Sequence, residues 1–291
     1  MHKNSIEFLR CVKCSGKLDV DILIETNEIF EGFLVCKNCK EKFPIINEIP
    51  IIMNSFLYYI QSRPSLGGNL ILLSKSKKMK NFVKHILSKI KKHSNDLSIV
   101  EKRWEEIYLA NKNSKFYSQI KQKISNLPNS NVVLEHGSSI GIMSKSLSCK
   151  YKNVFGIDSS FYAVSIAKKN SQKNTDFFVA SSLLHPFGKK QFDAVLALNM
   201  LELVEPTELL TIISKQVKHG YIVISDPYDY DRGKKSVINP LYENDVRKKI
   251  RSFGMSIVHG TNIPSSINWN LKINSRTILN YKVDLIIAKR S

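Results

Sequence analysis

From about residue 96 onward, strand-like apolar runs alternate with helical patterns, and this alternation constrains the fold more than any other feature of the 291-residue chain. NVVLEH (131–136) is a short apolar run, IGIMSKSLSC (140–149) has helical spacing, and NVFGID (153–158) is strand-like again. SSFYAVSIAKKN (159–170) opens with serines suited to a helix N-cap. TDFFVA, FDAVLALN, the helix PTELLTIISKQVKH and GYIVISD continue the series to residue 226. Strands alternating with helices predict an α/β fold built on a parallel sheet with right-handed crossovers. The end of the chain differs: FGMSIVHGTN (253–262) and YKVDLIIAKR (281–290) have no convincing helical segment between them and predict an antiparallel pair on the sheet's edge.

Ahead of this region lie two others. Residues 1–54 carry four of the five cysteines and short strand-like runs. Residues 55–95 form a linker, broken by Pro64, Gly67 and Gly68, that leads into a basic amphipathic helix spanning about 75–92. In that helix Met79, Phe82, Val83, Ile86, Leu87 and Ile90 fall at helical spacing, with Lys77, Lys78, Lys80, Lys84, Lys89, Lys91 and Lys92 elsewhere. Docking of the apolar stripe on the chain's own domains is the expected role; an RNA phosphate contact and a membrane-surface helix are the alternatives.

The cysteines are paired as CVKC (Cys11, Cys14) and CKNC (Cys36, Cys39), 21 residues apart, with Cys149 alone. That spacing lies just outside the usual range of a four-thiolate zinc ribbon, but the physics is the same. Each turn brings two thiolates to one side, and two turns complete a tetrahedron around a structural Zn²⁺ that replaces the core so short a segment lacks. Two disulfides are disfavoured in a reducing compartment, and a redox site needs one pair rather than two. FLRCVKCSGKLDV followed by FLVCKNCKEKFPIINEIPIIM, with Phe43-Pro44-Ile45 and Ile49-Pro50, resembles the small zinc-ribbon proteins that serve as activator subunits of methyltransferases acting on tRNA, rRNA and protein.

The turn after NVVLEH carries the chemistry. Glu135-His136-Gly137-Ser138-Ser139-Ile140-Gly141 resembles the first motif of class I S-adenosylmethionine-dependent methyltransferases, acid-x-Gly-x-Gly-x-Gly, with Ser139 in place of the middle glycine. Asp158 stands about 20 residues on, at the tip of the second strand, where an acid accepts ribose hydroxyls. Pro186-Phe187, Phe192-Asp193, Leu201-Glu202 and Val204 match the middle of the same family; Ser181 stands where an acid often meets the adenine amine, and Leu203 replaces a histidine. The resemblance covers about residues 100–291 and implies a Rossmann-like class I methyltransferase sheet. It implies a donor site in which Glu135 holds the methionyl amine, Gly137, Ser139 and Gly141 form the loop, and Asp158 and Ser159 sit at the ribose. Ser181 and Ser182 would lie near adenine, with Asn199 and Leu201 walling the methyl side. Asp226 and Tyr228, in SDPYDYDRG beside Arg232, are candidate substrate contacts, and Asp226 a candidate proton acceptor.

A net charge of +19 favours an acidic partner such as RNA or a membrane surface, although a Lys-, Asn- and Ile-rich composition accounts for it equally well. Neither a secretory leader pattern nor a run of about 18 uninterrupted apolar residues is present in the sequence, which points to a cytoplasmic protein. The expected function is S-adenosylmethionine-dependent methyl transfer with a zinc ribbon fused in cis. The acceptor is left open among RNA base, protein side chain and small metabolite. The rival is a catalytically degenerate scaffold that binds RNA or a partner methyltransferase.

Overall fold

The computed structural model describes residues 1–90, 95–231 and 236–290. Lys91, Lys92 and Arg232 lie outside the described residues. After a 3-10 turn, Lys3–Phe8, the chain forms a four-stranded antiparallel sheet in sequential order: β1 (Leu18–Glu25), β2 (Ile29–Cys36), β3 (Lys42–Ile46) and β4 (Ile49–Pro50). The cysteine pairs sit in the turns at one end of this sheet, Cys36 ending β2.

Three helices follow, α1 (Phe56–Gln61), α2 (Pro64–Leu73) and α3 (Lys77–Ser88). Met79 and Val83 of α3 are fully buried against Phe33, Phe56, Leu66 and Leu70, while Lys77, Lys78 and Lys84 face solvent and Lys80 is half-buried. The apolar stripe of the basic helix therefore docks on the chain itself. Ser76 caps this helix by accepting from Met79 N at 3.1 Å, and buried Glu31 of β2 accepts from the main-chain N–H groups of Lys75 and Ser76. A carboxylate at a helix N-terminus satisfies free N–H groups and complements the dipole.

Helices α4 (Leu97–Ala110) and α5 (Lys115–Ile124) lead into the α/β region. It runs β5 (Ser130–His136), α6 (Ile142–Leu147), β6 (Tyr151–Asp158), α7 (Phe161–Lys169), β7 (Thr175–Val179), β8 (Ala194–Leu198), α8 (Pro206–Gln216) and β9 (Gly220–Asp226). It closes with α9 (Glu243–Ser252), β10 (Ser256–Ile257), β11 (Ile267–Lys272) and β12 (Ile278–Arg290). The strand order is β10-β12-β9-β8-β5-β6-β7, with β12 antiparallel and the five central strands parallel. This is the Rossmann-like sheet of class I methyltransferases with antiparallel C-terminal strands, as expected. The edge is larger than the expected pair. Besides pairing with β10, β12 extends back to Ile278 and makes a second ladder with β11, from Ile267↔Val283 to Lys272↔Ile278.

Alternation along each parallel strand places side chains in two layers. Val133, Val154, Leu196 and Val223 pack under α5, α6 and β11, against Phe116, Ile120, Met143 and Trp269. Leu134, Phe155, Val195 and Ile222 face the opposite layer, which α8, α9 and the N-terminal sheet share: Leu9, Leu34, Phe43 and Ile45 belong to the same buried cluster. The two sheets also meet edge to edge. Ile51 bridges Val179 of β7 in parallel, and Ile52 N donates to Val179 O at 2.8 Å. Beside them Lys168 of α7 binds both Glu28 and Asp176, burying an ion cluster between the ribbon and the sheet.

Among the described residues no helix is long and apolar enough to cross a membrane.

Candidate donor pocket and metal site

The chain runs β5, β6, β7 outward and then returns to the other side of β5 to form β8, so the strand order switches between β5 and β8. Loops at the carboxyl ends of strands diverge at such a switch and leave a crevice. A cavity of about 280 Å³ opens there. Its floor is the turn after β5, its sides are the tips of β6 and β8, and its roof is α4 with Tyr117 and Trp269.

The turn has the shape that a glycine-rich loop would have. Gly137, Ser139 and Gly141 all lie in the left-handed region, at φ 63°, 47° and 76°. Ser139 thus accepts the backbone conformation that favours glycine, and its N–H donates to Asp158 Oδ2 at 2.9 Å. The other carboxylate oxygen of Asp158 accepts from Ser160 N at 2.8 Å. Ser160, rather than Asp158, caps α7, accepting from Ala163 N. Burial raises the Asp158 pKa against these hydrogen bonds. Glu135, 4% exposed, accepts from Ser144 Oγ, and burial pushes its carboxyl up to about 8.

Of the residues singled out in the sequence, Glu135, Gly137, Ser139, Asp158, Ser159 and Asn199 line the cavity. Gly141 is packed behind the loop, where an added Cβ would lie 3.0 Å from Ala167 Cβ and from the Phe177 ring. Ser181, Ser182 and Leu201 lie outside the lining. Ser181 Oγ accepts from Leu183 N, and Leu201 is fully buried. Asp226 is fully buried, and its two oxygens accept from Leu201 N and Tyr228 N, both at 2.8 Å. Tyr228 donates its hydroxyl to Asp284 at 3.2 Å. Both have structural partners at the end of β9 and neither reaches the cavity.

The sequence reading missed the roof. Helix α4 presents Glu101, Trp104, Glu105 and Tyr108 to the cavity, positions i, i+3, i+4 and i+7 of one helix face. Glu101 is held from the turn before α2: Arg63 Nε donates to it at 2.9 and 3.1 Å, while the guanidinium stacks 4.4 Å from the Tyr59 ring. Tyr59 in turn donates to the Ser159 carbonyl at 3.0 Å. The signal was present in WEEIY, but a polar-looking helix with two aromatics resembles any surface helix until the strand tips give it a target.

Ser138 Oγ and Trp269 Nε1, both buried in the cavity wall, have no hydrogen-bond partner among the described residues. Orphaned buried polar atoms cost free energy unless a ligand or water meets them. With two strand-tip carboxylates and the left-handed loop, these residues fit a polar nucleoside-bearing ligand.

At the other site, the thiols of Cys11, Cys14, Cys36 and Cys39 lie within 4.8 Å of one another, with Cys11–Cys39 at 3.6 Å and Cys14–Cys36 at 3.4 Å. These separations are far from a disulfide bond and bracket the ~3.8 Å edge of a tetrahedron with ~2.3 Å metal–sulfur bonds. The two knuckles are alike. Ser15 and Lys40, each following a C-x-x-C, sit at φ 57° and 60°, and their N–H groups donate to the carbonyls of Cys11 and Cys36. Cys149 is exposed and lies outside the cluster.

Two stretches of the chain match known family models. Residues 134–224 match the model described as "Methyltransferase domain", and residues 5–48 match "Trm112p-like protein". No curated protein matches the chain. Among solved structures, a chain of the complex between the Haloferax volcanii Trm112 methyltransferase activator and a protein described as a methyltransferase has a TM-score of 0.52 at 14% identity, over 65% of this chain and 96% of that one. Magnesium protoporphyrin IX methyltransferase from Synechocystis PCC 6803, solved with bound S-adenosylmethionine, has a TM-score of 0.48 at 16% identity, over 69% of this chain and 100% of that one. The chain therefore joins a Trm112p-like N-terminal domain to a methyltransferase domain of class I fold.

Proposed function

We propose that this protein transfers a methyl group from S-adenosylmethionine, with its ribbon, holding one structural zinc, fused in cis as a permanent part of the enzyme. The observation that carries this reading is the loop geometry: Ser139 keeps the left-handed backbone of the missing glycine and ties the loop to Asp158 through its N–H. A relic loop has no reason to hold that costly conformation.

The donor, when bound, supplies an electrophilic methyl on a positively charged sulfur. What remains for the protein is positioning and exclusion of water. Asp158 is held by two main-chain N–H groups with lone pairs left for ribose hydroxyls. Glu135, buried and held by Ser144, faces the amine end. Trp104, Tyr108 and Trp269 form an apolar roof over the crevice. The acceptor stays open among RNA base, protein side chain and small molecule, with RNA a partner favoured only by charge. Asp226 is engaged by Leu201 N and Tyr228 N, and the Tyr228 hydroxyl by Asp284, so neither is assigned here to the acceptor.

Isothermal titration with S-adenosylmethionine tests the reading. Native protein is expected to bind, and Asp158→Ala to weaken binding at least about tenfold, since charge-assisted hydrogen bonds contribute roughly 1.5–3 kcal/mol each. A folded native protein that gives no heat at about 100 µM donor refutes it in favour of the scaffold.

A further inference from the structure

The cavity is lined by four carboxylates, Glu101, Glu105, Glu135 and Asp158, and by four large aromatic side chains, Trp104, Tyr108, Tyr117 and Trp269; among the described residues no Lys, Arg or His lines it. In a chain of net charge +19 this is an inversion of the average surface. A wall of π-faces with no basic side chain among the described lining residues favours a cation over a neutral ligand.

The order along α4 gives that preference a location. Glu101 lies at the Asp158 end, because the Arg63 that holds it stacks on Tyr59, and Tyr59 donates to the carbonyl of Ser159 beside Asp158. Tyr108 lies at the other end, stacked on Trp269 and packed on the buried layer that holds Met143, the neighbour of the Ser144 that binds Glu135. The two residues are seven positions apart, a rise of about 10 Å along the helix. Trp104, one turn from each, therefore stands over the middle of the crevice, between the carboxylate assigned to ribose and the carboxylate assigned to the amine. Its ring belongs to a continuous row: Trp104–Tyr108 centroids are 5.8 Å apart, and Tyr108–Trp269 are 6.4 Å apart and nearly parallel.

We infer that Trp104, supported by Tyr108 and Trp269, reads the charge on the donor's sulfur, so that the site holds the sulfonium and releases the neutral thioether left after transfer. The inference rests on the donor reading above and adds a specificity role for a residue of the roof. Transfer removes the positive charge from the sulfur, so the attraction is lost at the step that makes product.

Titration calorimetry with S-adenosylmethionine and S-adenosylhomocysteine, on native protein and on Trp104→Leu and Trp104→Phe, tests it. The native protein is expected to bind the sulfonium about threefold to thirtyfold more tightly than the thioether, the range that a desolvated cation–π contact provides. Trp104→Leu should remove most of that ratio by weakening the sulfonium alone, and Trp104→Phe should restore part of it. Equal or tighter binding of the thioether by native protein overturns the inference and leaves the donor reading intact, as does an equal loss for both ligands in Trp104→Leu. Absence of binding by both ligands overturns the donor reading and the inference with it.

Discussion

Single residues in this protein carry environments that the sequence alone does not assign. Glu135 sits where the family resemblance puts an acid, but its burial beside Ser144 makes it a group with a titration near pH 8 in the free protein. The sign follows from linkage. Its folded pKa is raised above the unfolded value, so the fold favours the neutral form. The stability it contributes is full below about pH 4.5 and is lost as pH rises through about 8. Glu135→Gln keeps the neutral shape throughout. Thermal melts of donor-free protein are therefore expected to show native and variant close together near pH 5 and the variant ahead by a few kcal/mol near pH 9. A gap that stays constant across that range means that the carboxyl is already solvated and ionised in the folded state. The same residue illustrates what was legible: Glu135 and Asp158 were found from motif spacing, whereas the environment that gives each its charge state belongs to the neighbours.

Among the elements, the C-terminal edge departs most from expectation, and one ion pair explains how it is held. Arg247 of α9 and Asp284 of β12 are 1% and 2% exposed, with Arg247 Nη2 donating to Asp284 Oδ1 at 2.9 Å. Arg247 also donates to the carbonyls of Thr261 and Ile263, and Asp284 accepts from Ser265 N at 2.7 Å and from Tyr228. The pair thus pins α9, the segment before β11, and β12 together. Cutting one partner leaves a buried charge alone, so Arg247→Met should destabilise by about 3–5 kcal/mol, and Arg247→Met with Asp284→Leu should recover most of the loss. Denaturant melts of the single and double variants measure this. If the double variant is as unstable as the single, the cost comes from lost hydrogen bonds to the loop rather than from the orphaned charge. ENDVRKKIRS gave no helix signal strong enough to read beside its high charge; only Val246, Arg247 and Ile250 are buried, and one of those is an arginine.

At the scale of the molecule, the ribbon is not an appended module. Its strands share a buried cluster with Leu134, Phe155 and Phe178, its edge bridges Val179, and Lys168 ties Glu28 to Asp176. A metal that organises residues 11–39 therefore supports the sheet as well. Protein purified without added zinc should carry one zinc per chain, unchanged by Cys149→Ser and lost in Cys11→Ser. Removing it with a chelator should lower the midpoint of one cooperative thermal transition by more than about 10 °C, because binding energy at a structural zinc is folding energy. Two separated transitions would show that the ribbon melts by itself and that the shared core contributes little.

Sequence by itself determined the kinds of element and their order. The strands and helices of residues 131–226, the two cysteine knuckles and the motif turn are set by local periodicity, turn chemistry and short spacings, which act within a few residues. It also determined which acids end which strands. Tertiary structure alone decided what those acids face. The roof of the cavity comes from α4, α5 and β11, separated in sequence from the loop they cover, and Arg63 reaches it from a region that reads as linker. The partners of Asp226 and Tyr228 were likewise fixed by packing, because a polar turn after β9 looks the same whether it meets substrate or a buried neighbour. Contacts between distant segments depend on where the whole chain closes its core, and that is information no single stretch contains.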